Sequence, residues 1–440
     1  MSDSSPSETS PASPSASSLS EFAVDGITPS HVVRPGSQAA LAEVLADATR
    51  DERGVILQGG RTQIGVGNAP QHYDLAIDLR SLDQIVDLQP EDFTVTVQAG
   101  MTVSALQQTL WEHGQFVPLD VPLVERSTVG GLVARGRGGV RRARFGSVRD
   151  WLIGCEMLLA DGTAIKGGGR VVKNVSGFDL PKLFAGSWGT LGCLTQITFK
   201  LRPIPVDDAT LLIPCTDIHH ALELGTRLSL STAGIEAAAA LDAESAQRCA
   251  SDPATTAATD TALLAIRLSG VREAVDETLL NLRRHASTAR TPAATDPAFW
   301  QQIVDLEIPA PLSAPANNDP VRVEPTLLRI GVRPSRLATI ARELSDLAPN
   351  VRLWSYVDSG ILFAELPLLS VDGTITVIET LRSRLADEQG AVTVESAAAD
   401  VKAAIDVWGS AGEGIAIMRE LKQQFDPGAI LSRGRFVGGI

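Results

Sequence analysis

Residues 127–134 of the chain read Ser-Thr-Val-Gly-Gly-Leu-Val-Ala, and they lie at the start of a glycine-rich region. Fifteen of the 38 glycines fall between Gly130 and Gly192. Glycine tolerates positive φ and allows another group to approach the backbone closely. Clustered glycine therefore indicates tight turns or backbone that closely approaches another group.

A second glycine-rich stretch, at 58–65, reads Gln-Gly-Gly-Arg-Thr-Gln-Ile-Gly and directly follows a predicted strand at 54–57. A strand that is followed directly by glycines presents consecutive backbone N–H groups, which are suited to binding phosphate oxygens. Thr62 and Gln63 could add side-chain donors. An ordinary strand-to-loop turn remains an alternative. Gly65 and Gly67 start a partial dinucleotide fingerprint, but Pro70 stands in place of its third glycine, and the chain contains no P-loop.

Six arginines and no acidic residue occur from Ser127 through Arg149, in a chain of net charge -14. Such a positive segment suggests a bound anion: a cofactor phosphate, a carboxylate substrate or a partner. A solvated basic loop is the alternative. A third stretch, 171–200, carries Gly186, Gly189 and Gly192 just before an alternating strand pattern.

Together, segments 58–65, 127–134, 140–154 and 172–192 resemble the vanillyl-alcohol-oxidase or PCMH-type FAD-binding family. Within it, the likeness is to the FAD-binding E subunits of bacterial glycolate oxidases. It is strong over about 21–205 and loose over 206–440. The resemblance implies an α+β fold, with a two-subdomain PCMH-type FAD-binding domain and an α+β cap/substrate domain.

The same resemblance implies an FAD-dependent oxidoreductase subunit that oxidises a 2-hydroxy acid, such as glycolate to glyoxylate, by hydride transfer to flavin. Its implied partners are a homologous FAD-containing D subunit and an iron–sulfur subunit. A self-sufficient flavin dehydrogenase with another substrate is one alternative. A non-catalytic assembly subunit is the other.

The resemblance also implies site residues. The pyrophosphate would be lined by Gly59, Gly60, Arg61, Thr62 and Gln63. The flavin and its ribityl chain would be wrapped by Ser127, Thr128, Gly130, Gly131, Gly136 and Gly146. Ile197 would lie near the adenine by its backbone, and Gln58 and Arg144 are possible additions. Neither loop offers a His or Cys for attachment, so we expect non-covalent FAD.

No catalytic base can be assigned. The chain has six histidines. None of them lies in a sequence like the His-rich motif that the hydroxy-acid-oxidising members of the resembling family share. The group Arg322, Arg329, Tyr356 and Asp358 could clamp a carboxylate. No metal site is expected.

The predicted organisation is a disordered tail at 1–20, with ten Ser and three Pro, then an FAD-binding domain at 21–205. A cap domain is predicted at 206–400. The chain is then predicted to end in a C-terminal segment at 401–440 that returns to the FAD-binding domain. The cap is predicted to contain Ala-rich helices at 235–249 and 271–285, and a long loop at 296–325.

Composition excludes several classes. With 38 Lys and Arg against 52 Asp and Glu, binding to nucleic acid or an anionic membrane is not expected to be the main role. Four scattered cysteines show no C-x2-C spacing, so no iron–sulfur cluster is expected in this chain. No apolar run is long enough for a transmembrane segment, and residues 1–20 lack the features of a secretion signal. We therefore expect a cytoplasmic protein.

Overall fold

The computed structural model describes residues 19–169, 179–250, 261–286, 297–309 and 325–440. Most of the predicted tail, at 1–18, and part of the fourth resembling segment, at 170–178, lie outside the described residues. Leu19 and Ser20 are described, and their carbonyls accept hydrogen bonds from the backbone N–H groups of Phe22 and Ala23 at 2.9 and 3.2 Å.

A small parallel sheet opens the described chain. Its strands are β1 (His31–Val33), β2 (Val55–Gln58) and β3 (Leu75–Asp78), in the order β1-β3-β2. Helix α1 (Gln38–Arg50) follows its N-cap, Ser37, whose hydroxyl accepts from the Ala40 N–H. Its residues Leu41 and Leu45 are fully buried in a cluster with the strands, which fixes the helix on the sheet.

The strands of the next region are β4 (Ile85–Gln89), β5 (Thr94–Gln98), β6 (Gln115–Phe116), β7 (Leu152–Leu158), β8 (Ala164–Gly168), β9 (Cys193–Lys200) and β10 (Arg202–Pro203). Five of them form a larger antiparallel sheet in the order β4-β5-β9-β7-β8. Strands β6 and β10 form a separate pair. Its helices are α2 (Val103–Trp111), α3 (Val129–Arg135), α4 (Arg142–Phe145), α5 (Val148–Trp151) and α6 (Leu180–Phe184).

The remaining strands in the described residues are β11 (Asp207–Cys215), β12 (Ile235–Leu241), β13 (Ala262–Gly270), β14 (Leu327–Gly331), β15 (Arg352–Tyr356), β16 (Ile361–Glu365) and β17 (Ala391–Ser396). They form a single antiparallel sheet, called the third sheet below, in the order β11-β13-β12-β15-β16-β14-β17. The helices of this part are α7 (Ile218–Ser231), α8 (Ala243–Arg248), α9 (Arg272–His285), α10 (Pro297–Asp305), α11 (Leu337–Leu347), α12 (Val371–Leu385), α13 (Ala399–Ala404) and α14 (Ile415–Phe425). The mixture of helices and sheets confirms the predicted α+β class.

The predicted helix at 235–249 is wrong. Its first half is strand β12, which pairs with both β13 and β15, and only Ala243–Arg248 is helical. The alanines at 237–240 are completely buried, two in each of the apolar clusters on the two faces of the sheet. Tertiary pairing therefore overrides the helix propensity of alanine, which is a weak preference.

The predicted loop at 296–325 is wrong in its first part, because Pro297–Asp305 is helix α10. The Asp305 carboxylate accepts from the Leu123 N–H at 2.7 Å. The Gln301 amide donates to the Val121 carbonyl at 2.9 Å. This helix thus joins the third sheet to a loop of the first half. Residues 310–324 lie outside the described residues.

The C-terminal segment contacts the parallel sheet. Val55 donates its N–H to the Ile430 carbonyl at 2.8 Å, and Ser432 donates to the Val55 carbonyl at 2.8 Å. The Lys422 ammonium donates to the carbonyls of Thr190 and Leu431 and to Asp426. No helix among the described residues has the length and apolarity needed to cross a bilayer.

Candidate functional site

Two of the predicted loops meet where strand β2 ends. A Cβ atom added at Gly59 would overlap the Thr128 hydroxyl, and one added at Gly60 would overlap the Arg126 carbonyl. Both positions therefore require glycine for the close approach of the loops. Thr128 is also the N-cap of helix α3, with its hydroxyl accepting from the Gly131 N–H at 3.3 Å.

A hydroxyl pair joins the same loops. The Thr62 and Ser127 oxygens lie 2.9 Å apart, and the Ser127 hydroxyl donates to the Pro122 carbonyl at 2.6 Å. Because Ser127 has one proton and gives it to Pro122, Thr62 is the donor in the pair. The contact fixes the spacing between the loops.

The loop at 59–63 keeps its backbone donors available. Within the described residues, no hydrogen bond engages the backbone N–H groups from Gly59 to Gln63. The next carbonyls along the chain are occupied: Arg435 donates to those of Ile64 and Val66, and Lys402 to that of Gly65. Backbone N–H groups without a hydrogen-bond partner, next to carbonyls that already accept hydrogen bonds, form a cradle that suits an anion.

Arg61 adds positive charge to this cradle. Its backbone has φ of 58°, and its guanidinium lies 4.4 Å from the centroid of the Phe22 ring. Burial, together with the nearby charge of Arg80, lowers the pKa of Arg61 from its ordinary value. The ordinary pKa of arginine is so high that the group remains charged at neutral pH.

The loops enclose a cleft of about 1050 Å³, including its open mouth. Of the residues predicted to bind the cofactor, those that line it are Gly59, Gly60, Arg61, Thr62, Gln63, Ser127, Thr128, Gly130 and Gly131. Among the described residues, the lining contains Arg61, Arg135 and Arg435 but no Asp or Glu. The cleft is therefore suited to a negatively charged ligand.

The other predicted residues lie outside this lining. Gly136 ends helix α3 with φ of 72°, and Gly146 follows α4 with φ of 83°. Ile197 is fully buried in β9, between Val97 and Cys155. The possible additions also lie elsewhere: the Gln58 amide donates to Tyr73 and the Phe22 carbonyl, and Arg144 is exposed on α4.

Sequence reasoning missed part of the lining. Ser187, Trp188 and Gly189 lie in the segment 172–192 that carries the family resemblance, but the resemblance implies no site role for them. Trp188 has φ of 54°, and its ring packs 5.0 Å from that of Trp408. Ser432 and Arg435 arrive from the C-terminal segment. Their only sequence signal was the Ser-Arg-Gly-Arg-Phe run at 432–436.

Three of the six arginines in the segment 127–149 form ion pairs with acids of this chain. Arg135 pairs with Glu307, Arg137 with Glu395 at 2.6 Å, and Arg141 with Asp120 at 2.7 Å. The alternative interpretation, a solvated basic loop, does not hold for these three, whose side chains are at most 14% exposed. The acids come from distant segments, so spacing along the sequence could not show them.

The carboxylate-clamp candidates are dispersed. Arg329 and Tyr356 line a second cavity, whereas Asp358 is half-buried in the turn at Val357–Ser359 and Arg322 is outside the described residues. Burial raises the pKa of Asp358 to about 7. Across the described ranges, no three His, Cys, Asp or Glu residues are grouped so that they could hold a metal ion.

Comparison with known proteins identifies the region that contains both loops. Residues 29–168 match the FAD binding domain family. The chain carries a PCMH-type FAD-binding domain. This match confirms the predicted domain type and FAD as the cofactor. The observed cleft fits that assignment, since its free N–H groups and arginines suit the diphosphate of FAD.

Curated relatives resemble the chain over part of its length. Glycolate oxidase subunit GlcE of Escherichia coli is 35% identical over 167 residues, which are 38% of this chain and 47% of that protein. Glycolate oxidase subunit GlcD of Bacillus subtilis is 33% identical over 184 residues, 42% of this chain and 39% of that protein. The aligned region thus spans less than half the length of either relative.

Solved structures resemble nearly the whole chain. A 4-ethylphenol oxidase from Gulosibacter chungangensis superposes with a TM-score of 0.69 at 15% identity, covering 95% of this chain and 92% of that one. An alkyldihydroxyacetonephosphate synthase gives a TM-score of 0.68 at 17% identity, covering 92% of this chain and 77% of that one. At such identities the likeness shows a shared fold alone.

Proposed function

We propose that the chain is an FAD-dependent oxidoreductase subunit that acts on a small 2-hydroxy acid, with glycolate oxidised to glyoxylate as the leading case. The observation that carries this proposal is the cleft in which the two glycine loops meet within the FAD-binding domain. The relatives named glycolate oxidase subunits support the substrate class.

The chain's residues have separate tasks in this proposal. The loop N–H groups from Gly59 to Gln63 hold the cofactor's diphosphate, and Thr62 and Ser127 keep the loops at their spacing. Helix α3, capped by Thr128, forms part of the opposite wall. FAD, when bound, supplies the acceptor for the electrons of the hydroxy acid.

We further propose that FAD is bound non-covalently. No His, Cys or Tyr occurs in the cleft lining that the described residues form. Each of the four cysteines is buried outside the cleft. Burial raises the pKa of Cys193 to about 12 and that of Cys215 to about 11, so neither thiol ionises readily near neutral pH.

Partner dependence is part of the proposal. The described lining contains no His, Asp or Glu that could remove the proton of a substrate hydroxyl. A homologous flavoprotein subunit and an iron–sulfur subunit would supply the remaining functions. The same observation favours a second candidate, in which the chain is an assembly subunit with structural FAD.

Anaerobic addition of glycolate to the purified flavin-containing chain tests the assignment. Bleaching of the flavin would show that the chain oxidises glycolate alone and would overturn partner dependence. If the flavin stays oxidised, the complex should be assayed with a Gly60→Ala chain that has lost FAD. Lost complex activity supports a catalytic flavin, whereas undiminished activity indicates the assembly role.

A further inference from the structure

The stretch at 64–68, which directly follows the loop at 59–63, is tied to the C-terminal segment. The Asn68 N–H donates to the Arg435 carbonyl at 3.0 Å. In the other direction, the Val407 N–H donates to the side-chain oxygen of Asn68 at 2.9 Å. The end of the phosphate loop and the C-terminal segment therefore share hydrogen bonds and pack as one unit.

Two buried cations of the C-terminal segment hold the carbonyls of this stretch. The Arg435 guanidinium donates to the carbonyls of Ile64 and Val66, the latter at 2.9 Å. The Lys402 ammonium donates to the carbonyl of Gly65 between them. Arg435 is only 8% exposed and Lys402 only 5%. Three successive carbonyl groups are thus engaged by cations from outside the loop.

Arg435 has spare hydrogen-bonding capacity and an unpaired charge beside the cleft. In the part of the chain that the structure describes, no carboxylate forms an ion pair with Arg435, and the nearby Asp25 pairs with Lys402. The Nε atom of Arg435 is buried without a hydrogen-bond partner, although the residue lines the FAD cleft. Arginine keeps its charge in proteins, and a buried charge is costly unless an opposite charge compensates it.

We infer that the C-terminal segment is part of the FAD site, and that Arg435 is a positioning residue for the loop that binds the diphosphate. By engaging the carbonyls of Ile64 and Val66, Arg435 compensates oxygen charge that would otherwise repel an anion beside the loop N–H groups. Its own charge at the cleft wall favours the anion further. The inference rests on the proposal that the loop at 59–63 holds the diphosphate of FAD.

Coupling between the segment and the cofactor must act in both directions. If the docked segment raises the affinity for FAD, bound FAD stabilises the docked segment by the same factor. The Asn68 N–H reports on docking, because it donates to the Arg435 carbonyl and lies outside the described lining of the cleft. Hydrogen exchange at Asn68 therefore measures the coupling without substrate or turnover.

The test compares the full-length wild-type chain with three variants. Arg435→Met removes the guanidinium and keeps a long side chain. Arg433→Met is the matched control, since Arg433 lies on the same segment with an exposed side chain outside the described lining. Leu344→Ala lies in the core beside the third sheet and controls for lost stability alone.

FAD titrated into the apoprotein should bind Arg435→Met roughly tenfold or more weakly than wild type, because charged hydrogen bonds to two loop carbonyls are lost. Arg433→Met and Leu344→Ala should stay within about twofold of wild type, since neither touches the loop. FAD should slow exchange at Asn68 in wild type and in both controls, and by a much smaller factor in Arg435→Met.

Arg435→Lys serves as a second variant if Arg435→Met does not fold. It keeps the charge but loses the planar fork that reaches two carbonyls, so its FAD affinity should fall in the same direction by a smaller factor. Its protection of Asn68 by FAD should likewise lie below that of wild type.

Three results would overturn the inference. Equal FAD affinity in wild type and in the Arg435 variant would show that the loop keeps its geometry without the guanidinium. An equal loss in Leu344→Ala would show that Arg435 acts through overall stability alone. Full protection of Asn68 by FAD in the Arg435 variant would show that the guanidinium does not couple the segment to the cofactor.

Gly60→Ala separates this inference from the proposal on which it rests. If Gly60→Ala weakens FAD binding and Arg435→Met does not, the loop holds the cofactor without help from the C-terminal segment, and this inference alone fails. If neither variant weakens FAD binding, the assignment of the loop to the diphosphate fails, and this inference fails with it.

Discussion

The Thr62 hydroxyl donates to the Ser127 hydroxyl across 2.9 Å, and this bond joins two loops that are 65 residues apart in the sequence. Both side chains line the cleft that we propose for FAD. The loops can hold a cofactor in one geometry only if their separation is fixed. The bond is therefore a positioning contact whose loss should be visible in cofactor affinity.

We predict that Thr62→Val and Ser127→Ala each weaken FAD binding, and that the double variant is little worse than the single ones. A hydrogen bond of this kind contributes about 0.5–1.5 kcal/mol. Its two partners act as a unit, so their effects should not add. Titration of the apoprotein with FAD, followed by flavin fluorescence, measures the coupling. Fully additive losses would contradict a direct bond between the loops.

Gly60→Ala should reduce FAD affinity strongly, because the new methyl group would overlap the Arg126 backbone carbonyl. Overpacking of this kind costs about 1–3 kcal/mol, which corresponds to roughly tenfold or more in affinity. Gly65→Ala is the matched control, since it lies on the same loop and a Cβ there meets nothing within 4 Å. Similar FAD content in the two variants would argue against the close approach.

Lys422 should be essential for stability. Its ammonium is buried and donates to Asp426 at 2.7 Å and to the carbonyls of Thr190 and Leu431, each at 2.8 Å. Lys422→Met would leave the buried Asp426 carboxylate without its cation, at a cost of about 3–5 kcal/mol. Lys166→Met removes an exposed pair with Glu156 and should cost about 0–1 kcal/mol. Denaturant unfolding of both variants checks the contrast, which equal losses would contradict.

Asp358 should make stability dependent on pH. Burial raises its pKa to about 7, above the value of an unfolded chain. The folded protein then holds a proton that the unfolded chain releases near pH 4, so this contribution to stability is fully present below that pH. It is lost as the pH rises toward 7, with a slope approaching about 1.4 kcal/mol per pH unit, and is constant above that.

Asp358→Asn removes the titrating group and keeps a side-chain acceptor. Unfolding free energies measured between pH 4.5 and pH 8 should therefore decline less steeply in the variant than in wild type. The difference between the two curves isolates Asp358 from the other carboxyl groups. Parallel curves would show that Asp358 is ionised in the folded protein throughout this range.

Local sequence patterns predicted the elements whose environment is local. Ser37 and Thr102 cap helices α1 and α2 through their hydroxyls, and the glycines at 59 and 60 stand where two loops touch. The family resemblance correctly indicated the FAD-binding domain. These features depend on short-range spacing, which a single sequence displays.

The features that the sequence did not predict depend on contacts between residues that are far apart along the chain. The alanines at 237–240 lie in a strand that pairs with β13 and β15, and their side chains are buried in apolar clusters on the two faces of the sheet. Arg135 and Arg137 are neutralised by Glu307 and Glu395, which lie more than 170 residues away. Arg435 reaches the cleft from the C-terminal segment. Apart from the run at 432–436 that contains Arg435, none of these contacts leaves a periodic or local signal.

The central claim is that this chain holds FAD, non-covalently, in the cleft between the loops at 59–63 and 127–131. The visible spectrum of the purified full-length chain, before and after acid precipitation, tests it most directly. We predict a flavin spectrum in the native protein and release of all the yellow colour into the acid supernatant. A colourless protein that cannot be reconstituted with FAD, or flavin that remains in the precipitate, would contradict this claim.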